Sequence, residues 1–127
     1  MGMSRAERNQ QIERTLADLA TLRGVTTAAI VDGDGFVTHI RRDFEVDADA
    51  LGAAVQIMYT AARRAAEQAQ QDATRLVLAE NKDGMIIMAP LSRDFVLVIV
   101  GDTSSMLGTI RYEVRETVPE LNKLFGG

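Results

Sequence analysis

The chain contains no cysteine. Disulfides, thiolate catalysis and cysteine-based zinc or iron–sulfur sites are thereby excluded, and a reducing, cytoplasmic compartment fits. There is one histidine, His39. A catalytic triad or a histidine metal site needs partners that the sequence does not place beside it, so His39 reads as a surface residue of an edge strand. No apolar run approaches the roughly 20 residues that span a bilayer. The longest, residues 95–100, has the length of one strand, and no direct membrane insertion is expected. The first residues, MGMSRAERNQQ, lack the apolar segment of a secretory signal. There is no basic excess either. The net charge of −4 argues against a nucleic-acid partner, because phosphate neutralisation needs a concentrated basic face.

What remains is an ordinary globular composition, 46% apolar and 25% charged over 127 residues, read as a single domain over 1–127. Ser4-Arg5-Ala6-Glu7 is a capping box. The helix it opens carries Ile12, Leu16, Leu19 and Leu22 on one stripe, and Gly24 is its expected left-handed stop. Residues 25–31 are apolar or small on both faces, as in a central strand covered on both sides. Asp32-Gly33-Asp34-Gly35 reads as a hairpin turn into a more polar edge strand, residues 36–41. A short loop over residues 42–46 leads to a second helix capped by Asp47 or Asp49 and running to about Gln71. Its stripe is mostly alanine: Leu51, Ala54, Val55, Met58, Ala62, Ala65, Ala66 and Ala69, with Gln56, Thr60, Arg63, Arg64 and Glu67 facing away.

Three strands follow, over residues 74–81, 85–91 and 95–101, and their short turns impose antiparallel pairing. Thr103, Ser104 or Ser105 is expected to cap the last helix, whose core stripe is Leu107, Ile110, Val114, Val118, Leu121 and Leu124. Pro119 predicts a kink or two short helices. The order is α-β-β-α-β-β-β-α. It makes an α+β fold layered α/β/α, with one five-stranded antiparallel sheet in the order 2-1-5-4-3.

Leu19-Ala20-Thr21-Leu22-Arg23-Gly24-Val25 runs into Ala29-Ile30-Val31-Asp32 and Asp34-Gly35. Leu51-Gly52-Ala53-Ala54, Asp83-Gly84, Ala89-Pro90-Leu91 and Leu107-Gly108-Thr109-Ile110-Arg111 follow in order. In these pieces, over residues 16–124, the chain resembles the Roadblock/dynein-light-chain family, of the bacterial small-GTPase-partner type. The resemblance implies a profilin/roadblock-like sheet and a non-enzymatic module without cofactors. It also implies a homodimer joined through third strands into a continuous ten-stranded sheet, its second helices side by side, and a Ras-like small GTPase as partner. The alternative is a light-chain-type structural adaptor with no GTPase.

On that reading the dimer interface comprises Thr74, Arg75, Leu76, Val77, Leu78, Ala79 and Glu80 of the third strand with Met58, Ala62 and Ala65 of the second helix. Proline at Val77 is expected to break it. The GTPase platform comprises Ala53, Gln56, Ile57, Thr60, Ala61, Arg63, Arg64 and Glu67. Arg63-Arg64 as an arginine finger is disfavoured, since both lie inside a helix and family members arrange the GTPase's own residues. Asp32-Gly33-Asp34-Gly35 is a turn and not a calcium loop, because Phe36 and Val37 stand where that loop needs an oxygen ligand and a glycine. Gly101–Ser105 opens a helix without the Lys-Ser/Thr of a P-loop, which favours capping over phosphate binding.

Overall fold

A computed structural model describes residues 2–42 and 46–126. The loop expected over 42–46 falls mainly on 43–45 and lies outside the described residues. The elements are α1 (Arg5–Ala20), β1 (Val25–Val31), β2 (Val37–Arg42), α2 (Ala48–Gln68), β3 (Val77–Asn81), β4 (Gly84–Pro90), β5 (Val96–Asp102) and α3 (Leu107–Leu124). The sheet is antiparallel throughout, in the order β2-β1-β5-β4-β3, as the sequence predicts.

Side chains alternate across each strand, so the two faces of the sheet bury different sets. Ala28, Ile30, Ile87, Ala89, Leu97 and Ile99 meet Ile12, Leu16 and Leu19 of α1 and Ile110, Val114 and Leu121 of α3. On the other face Val31, Met88, Val96 and Val98 meet Val55, with Leu51, Met58 and Tyr59 at the margin. The second layer is the thinner one: of 21 residues in α2 only Gly52 and Val55 are fully buried. Most of that helix is left facing outward.

The capping box at Ser4 forms as predicted, with Ser4 Oγ accepting from the Glu7 N–H at 3.1 Å and Glu7 Oε1 accepting from the Ser4 N–H at 3.3 Å. α1 stops at Ala20, earlier than its stripe implied, and Gly24 (φ +80°) closes a separate turn into β1.

The alanine stripe of α2 is rotated from its predicted phase. Ala54, Ala65 and Ala69 are exposed, while Tyr59 joins the core side. Alanines on several sides give the helix little preference, and the larger Leu51, Val55, Met58 and Tyr59 settle which side goes in.

No side chain caps α3: its N-cap is Met106. The hydroxyls nominated for that role are engaged earlier. Ser104 donates its N–H (2.8 Å) and Oγ–H (2.6 Å) to the Asp102 carboxylate, and Ser105 Oγ donates to the Asp102 carbonyl at 2.6 Å. The Ser104 hydroxyl and N–H hold the Asp102 carboxyl below the usual carboxylate range. α3 runs as one helix through Pro119. The proline is exposed, so the carbonyl it deprives of a donor is left to water.

β3 begins at Val77 and not at Thr74, and the reason lies on its neighbour. The Leu91 N–H donates to the Phe95 carbonyl at 2.7 Å, so odd-numbered residues of β4 point their backbone groups at β5 and even-numbered ones at β3. Val77 pairs Met88, and one ladder step further Arg75 would pair Pro90. Proline has no N–H to offer there, and the ladder ends. The same parity turns the Val77 N–H inward to β4, leaving the backbone groups of Leu78 and Glu80 on the open edge. Proline at Val77 therefore breaks the β3–β4 pairing first, which corrects the substitution expected from sequence to probe that edge.

Candidate protein-binding surfaces

Two open surfaces gather most of the residues that sequence reasoning nominated. The first is a groove of about 620 Å³ between the C-terminal half of α2 and the chain entering β3. Ala62 and Ala65 line one wall, and Thr74, Arg75, Leu76, Val77 and Leu78 line the other. Small side chains on the helix side leave the floor low. Leu78 is 40% exposed on the edge strand, and Thr74 Oγ1 is buried without a hydrogen-bond partner. Ala79, half-buried, and Glu80, exposed, continue the same edge beyond the groove. Met58 lies apart, packed against the α2-side core.

The second is a shallow hollow of about 560 Å³ on the outer face of α2, lined by Gln56, Ile57, Thr60, Ala61 and Arg64. These residues recur at three- and four-residue spacings along one helix face. Ile57 is 69% exposed, an unusual setting for a large aliphatic side chain flanked by polar ones. Three nominated residues fall outside this hollow. Ala53 lies against the β1–β2 turn, Glu67 is exposed further along the helix, and the Arg63 guanidinium sits 5.3 Å from the centre of the Tyr59 ring, within cation–π range.

Gln56 does not face away from the fold. Its Nε2 donates to the Asp32 carbonyl at 2.7 Å and to the Asp94 carbonyl at 3.2 Å. It thus ties α2 to the β1–β2 turn and to the turn over Ser92–Asp94 at once. Nothing local in the sequence marks this role, because its two partners lie 24 and 38 residues away.

The Asp32-Gly33-Asp34-Gly35 turn is closed by its own side chain, Asp32 Oδ1 accepting from the N–H groups of Asp34 (2.9 Å) and Phe36 (3.0 Å). Among the described residues no group of three or more histidine and carboxylate side chains is gathered for a metal ion. His39 is half-buried and not simply exposed. Its Nε2 lies 3.3 Å from Asn9 Oδ1 on α1, and its Nδ1 lies 3.0 Å from Thr38 Oγ1. Burial pushes its imidazole below the ordinary range, with the Glu13 carboxylate pulling the other way. No described helix is long and apolar enough to cross a membrane.

Comparison with known proteins agrees with the topology. The family model described as the Roadblock/LC7 domain matches residues 11–101. An uncharacterised protein of Methanocaldococcus jannaschii is 25% identical over 114 residues, which is 90% of this chain and 96% of that protein. Among solved structures, MglB of Myxococcus xanthus superposes with a TM-score of 0.86 at 19% identity, covering 99% of this chain and 95% of the other. The gliding protein MglB of Thermus thermophilus superposes with a TM-score of 0.83 at 16% identity, covering 98% and 93%. At those identities the structural likeness establishes the fold.

Proposed function

The chain belongs to the Roadblock/LC7 domain family, and from that membership we propose that it is a non-enzymatic homodimeric module that regulates or scaffolds a Ras-like small GTPase. The observation that carries the proposal is the hollow on α2. An exposed Ile57 is set among small side chains, beside a cation at Arg64, on a helix that buries little of itself. Burying such an aliphatic side chain contributes about 1.5–3 kcal/mol, enough to anchor an interface. Arg64 suits an acidic switch region, and charges of this kind chiefly raise the association rate. The β3 edge and its neighbouring groove supply the homodimer contact. Pairing there sets two α2 helices side by side, so that one GTPase spans both hollows. The likeness to a gliding protein fits the bacterial branch of the family, whose members partner gliding-motility-type GTPases.

The test is a binding titration against the cognate GTPase in both nucleotide states. Ile57→Asp should weaken binding by more than about tenfold, and Arg64→Glu should slow association, with the melting temperature and dimer mass unchanged in both. Wild-type binding by both variants would refute the platform. A wild-type protein that binds the GTPase in neither nucleotide state would instead be a structural adaptor.

A further inference from the structure

On the face of the sheet opposite α2, two hollows of about 340 and 450 Å³ adjoin at Arg8, Arg93 and Phe125, which line both. Arg5 adds a cation to one and Lys123 to the other. Phe95 and Phe125, stacked with ring centres 4.3 Å apart, form apolar wall. No carboxylate is among the described residues lining either hollow, although the chain as a whole carries a net charge of −4.

Folding accounts poorly for these cations. Arg5 and Arg8 occupy the first turn of α1, the positive end of the helix dipole, where carboxylates are stabilising and cations are not. Arg93 is held at φ +59° and is followed by Asp94 at φ +64°. That left-handed backbone is adopted at little expense by glycine or asparagine and not by arginine. The guanidinium it carries lies against Gly126, 3.4 Å from the position of the absent Cβ, at the junction of the two hollows. Three cations are thus placed against local preference around one recess.

We propose that this recess binds an acidic peptide segment of a partner protein, one in which carboxylates alternate with apolar side chains. The carboxylates would pair with Arg5, Arg8, Arg93 and Lys123, the guanidinium forks bidentately, and an apolar residue would rest on Phe95 and Phe125. Two adjoining concave hollows suit an extended chain better than a flat lipid surface. Four cations on an acidic protein are too few for a nucleic-acid backbone. The recess lies on the face of the sheet opposite the α2 hollow and shares no lining residue with it, so this contact does not depend on the function proposed above.

The probe is a fluorescein-labelled synthetic 14-mer alternating Asp/Glu with Leu/Phe, titrated by anisotropy with the full chain. Binding should be saturable and should weaken as salt is raised past the range in which exposed charges are screened. Arg8→Glu/Arg93→Glu should weaken it by more than about tenfold. Arg8→Gln/Arg93→Gln, which keeps the side-chain bulk, should weaken it less, while Arg64→Glu on the opposite face should leave it unchanged. Melting curves of the variants check the fold. The proposal is overturned if the wild-type chain does not bind the peptide at low salt, or if the double glutamate variant binds as well. It is also overturned if vesicles of phosphatidylserine and phosphatidylcholine, and not the peptide, are held through Arg8 and Arg93.

Discussion

Gly52 lies inside α2, where alanine ordinarily stabilises a helix by about 1 kcal/mol relative to glycine. Here the sign reverses. A Cβ at position 52 would collide with the carbonyl oxygen of Gly35 and stand 3.1 Å from Val37 Cγ2. The helix touches the β1–β2 hairpin backbone to backbone, and only the missing side chain permits it. Gly52→Ala is expected to destabilise the protein by about 1–3 kcal/mol in chemical denaturation. Gly108, with nothing within 4 Å of its absent Cβ, serves as the control: Gly108→Ala should be neutral or stabilising by up to about 1 kcal/mol. A second residue-scale outcome concerns the turn over Ser92–Asp94. The Phe95 N–H donates to the Ser92 carbonyl at 3.3 Å around two successive left-handed residues, the geometry of a type I′ turn, which favours Asn-Gly. Arg93→Asn/Asp94→Gly should raise stability by about 1 kcal/mol. A melting temperature that falls instead would mean that the strain is already offset by what Arg93 touches.

At the scale of elements, α1 meets β2 through Asn9, Thr38 and His39. Because burial lowers the folded-state pKa of His39, the neutral imidazole is the form the fold prefers. Its contribution is present above the unfolded value of about 6.5 and is lost as the pH falls through the folded-state pKa. His39→Gln should therefore flatten the acid-side decline of stability below about pH 6.5, measured as denaturation midpoints across pH; an unaltered slope would place the titration elsewhere. The edge strand gives another test. Glu80→Pro removes an outward N–H, which an edge tolerates, and should yield a folded monomer by light scattering, whereas Val77→Pro should unfold the β3–β4 hairpin. A dimeric Glu80→Pro variant would move the interface off this edge. Much of the architecture was legible in such elements. The Ser4–Glu7 box, the apolar stripes of α1 and α3, the unbroken apolar run of β1 and the Asp-Gly turns each carry a local physical signal. What stayed hidden was set by distant partners. The phase of α2 is decided by four bulky side chains among alanines, the role of Gln56 by two carbonyls far along the chain, and the start of β3 by the absent N–H of Pro90. The family resemblance nominated two residue sets; part of each lines the groove beside β3 or the hollow on α2, while Met58, Ala79, Glu80, Ala53, Arg63 and Glu67 fall outside them. The basic recess depends on the approach of four separate segments, and no spacing in the sequence announces it.

For the whole molecule, the sheet divides the surface into two territories, the α2 hollow on one side and the cationic recess on the other. If two copies pair and one GTPase spans both α2 helices, native mass measurement should find two protomers per GTPase. One GTPase per protomer, with no loss of binding in Ile57→Asp, would break that picture. On the proposed pairing, assembly would also have to stop once it starts. β2, the opposite edge, ends in Arg41 and Arg42, and charges of this kind discourage further strand addition. Pro90 limits the other edge to the five residues of β3, about 17 Å of ladder. An interval that short tolerates almost no slippage: sliding by two residues would forfeit much of its pairing, and sliding by one would swap the sheet faces. The missing proton on a single ring nitrogen thus acts as a length gauge. In the proposed dimer it would fix where the second copy comes to rest and leave no overhanging strand on which a third could grow.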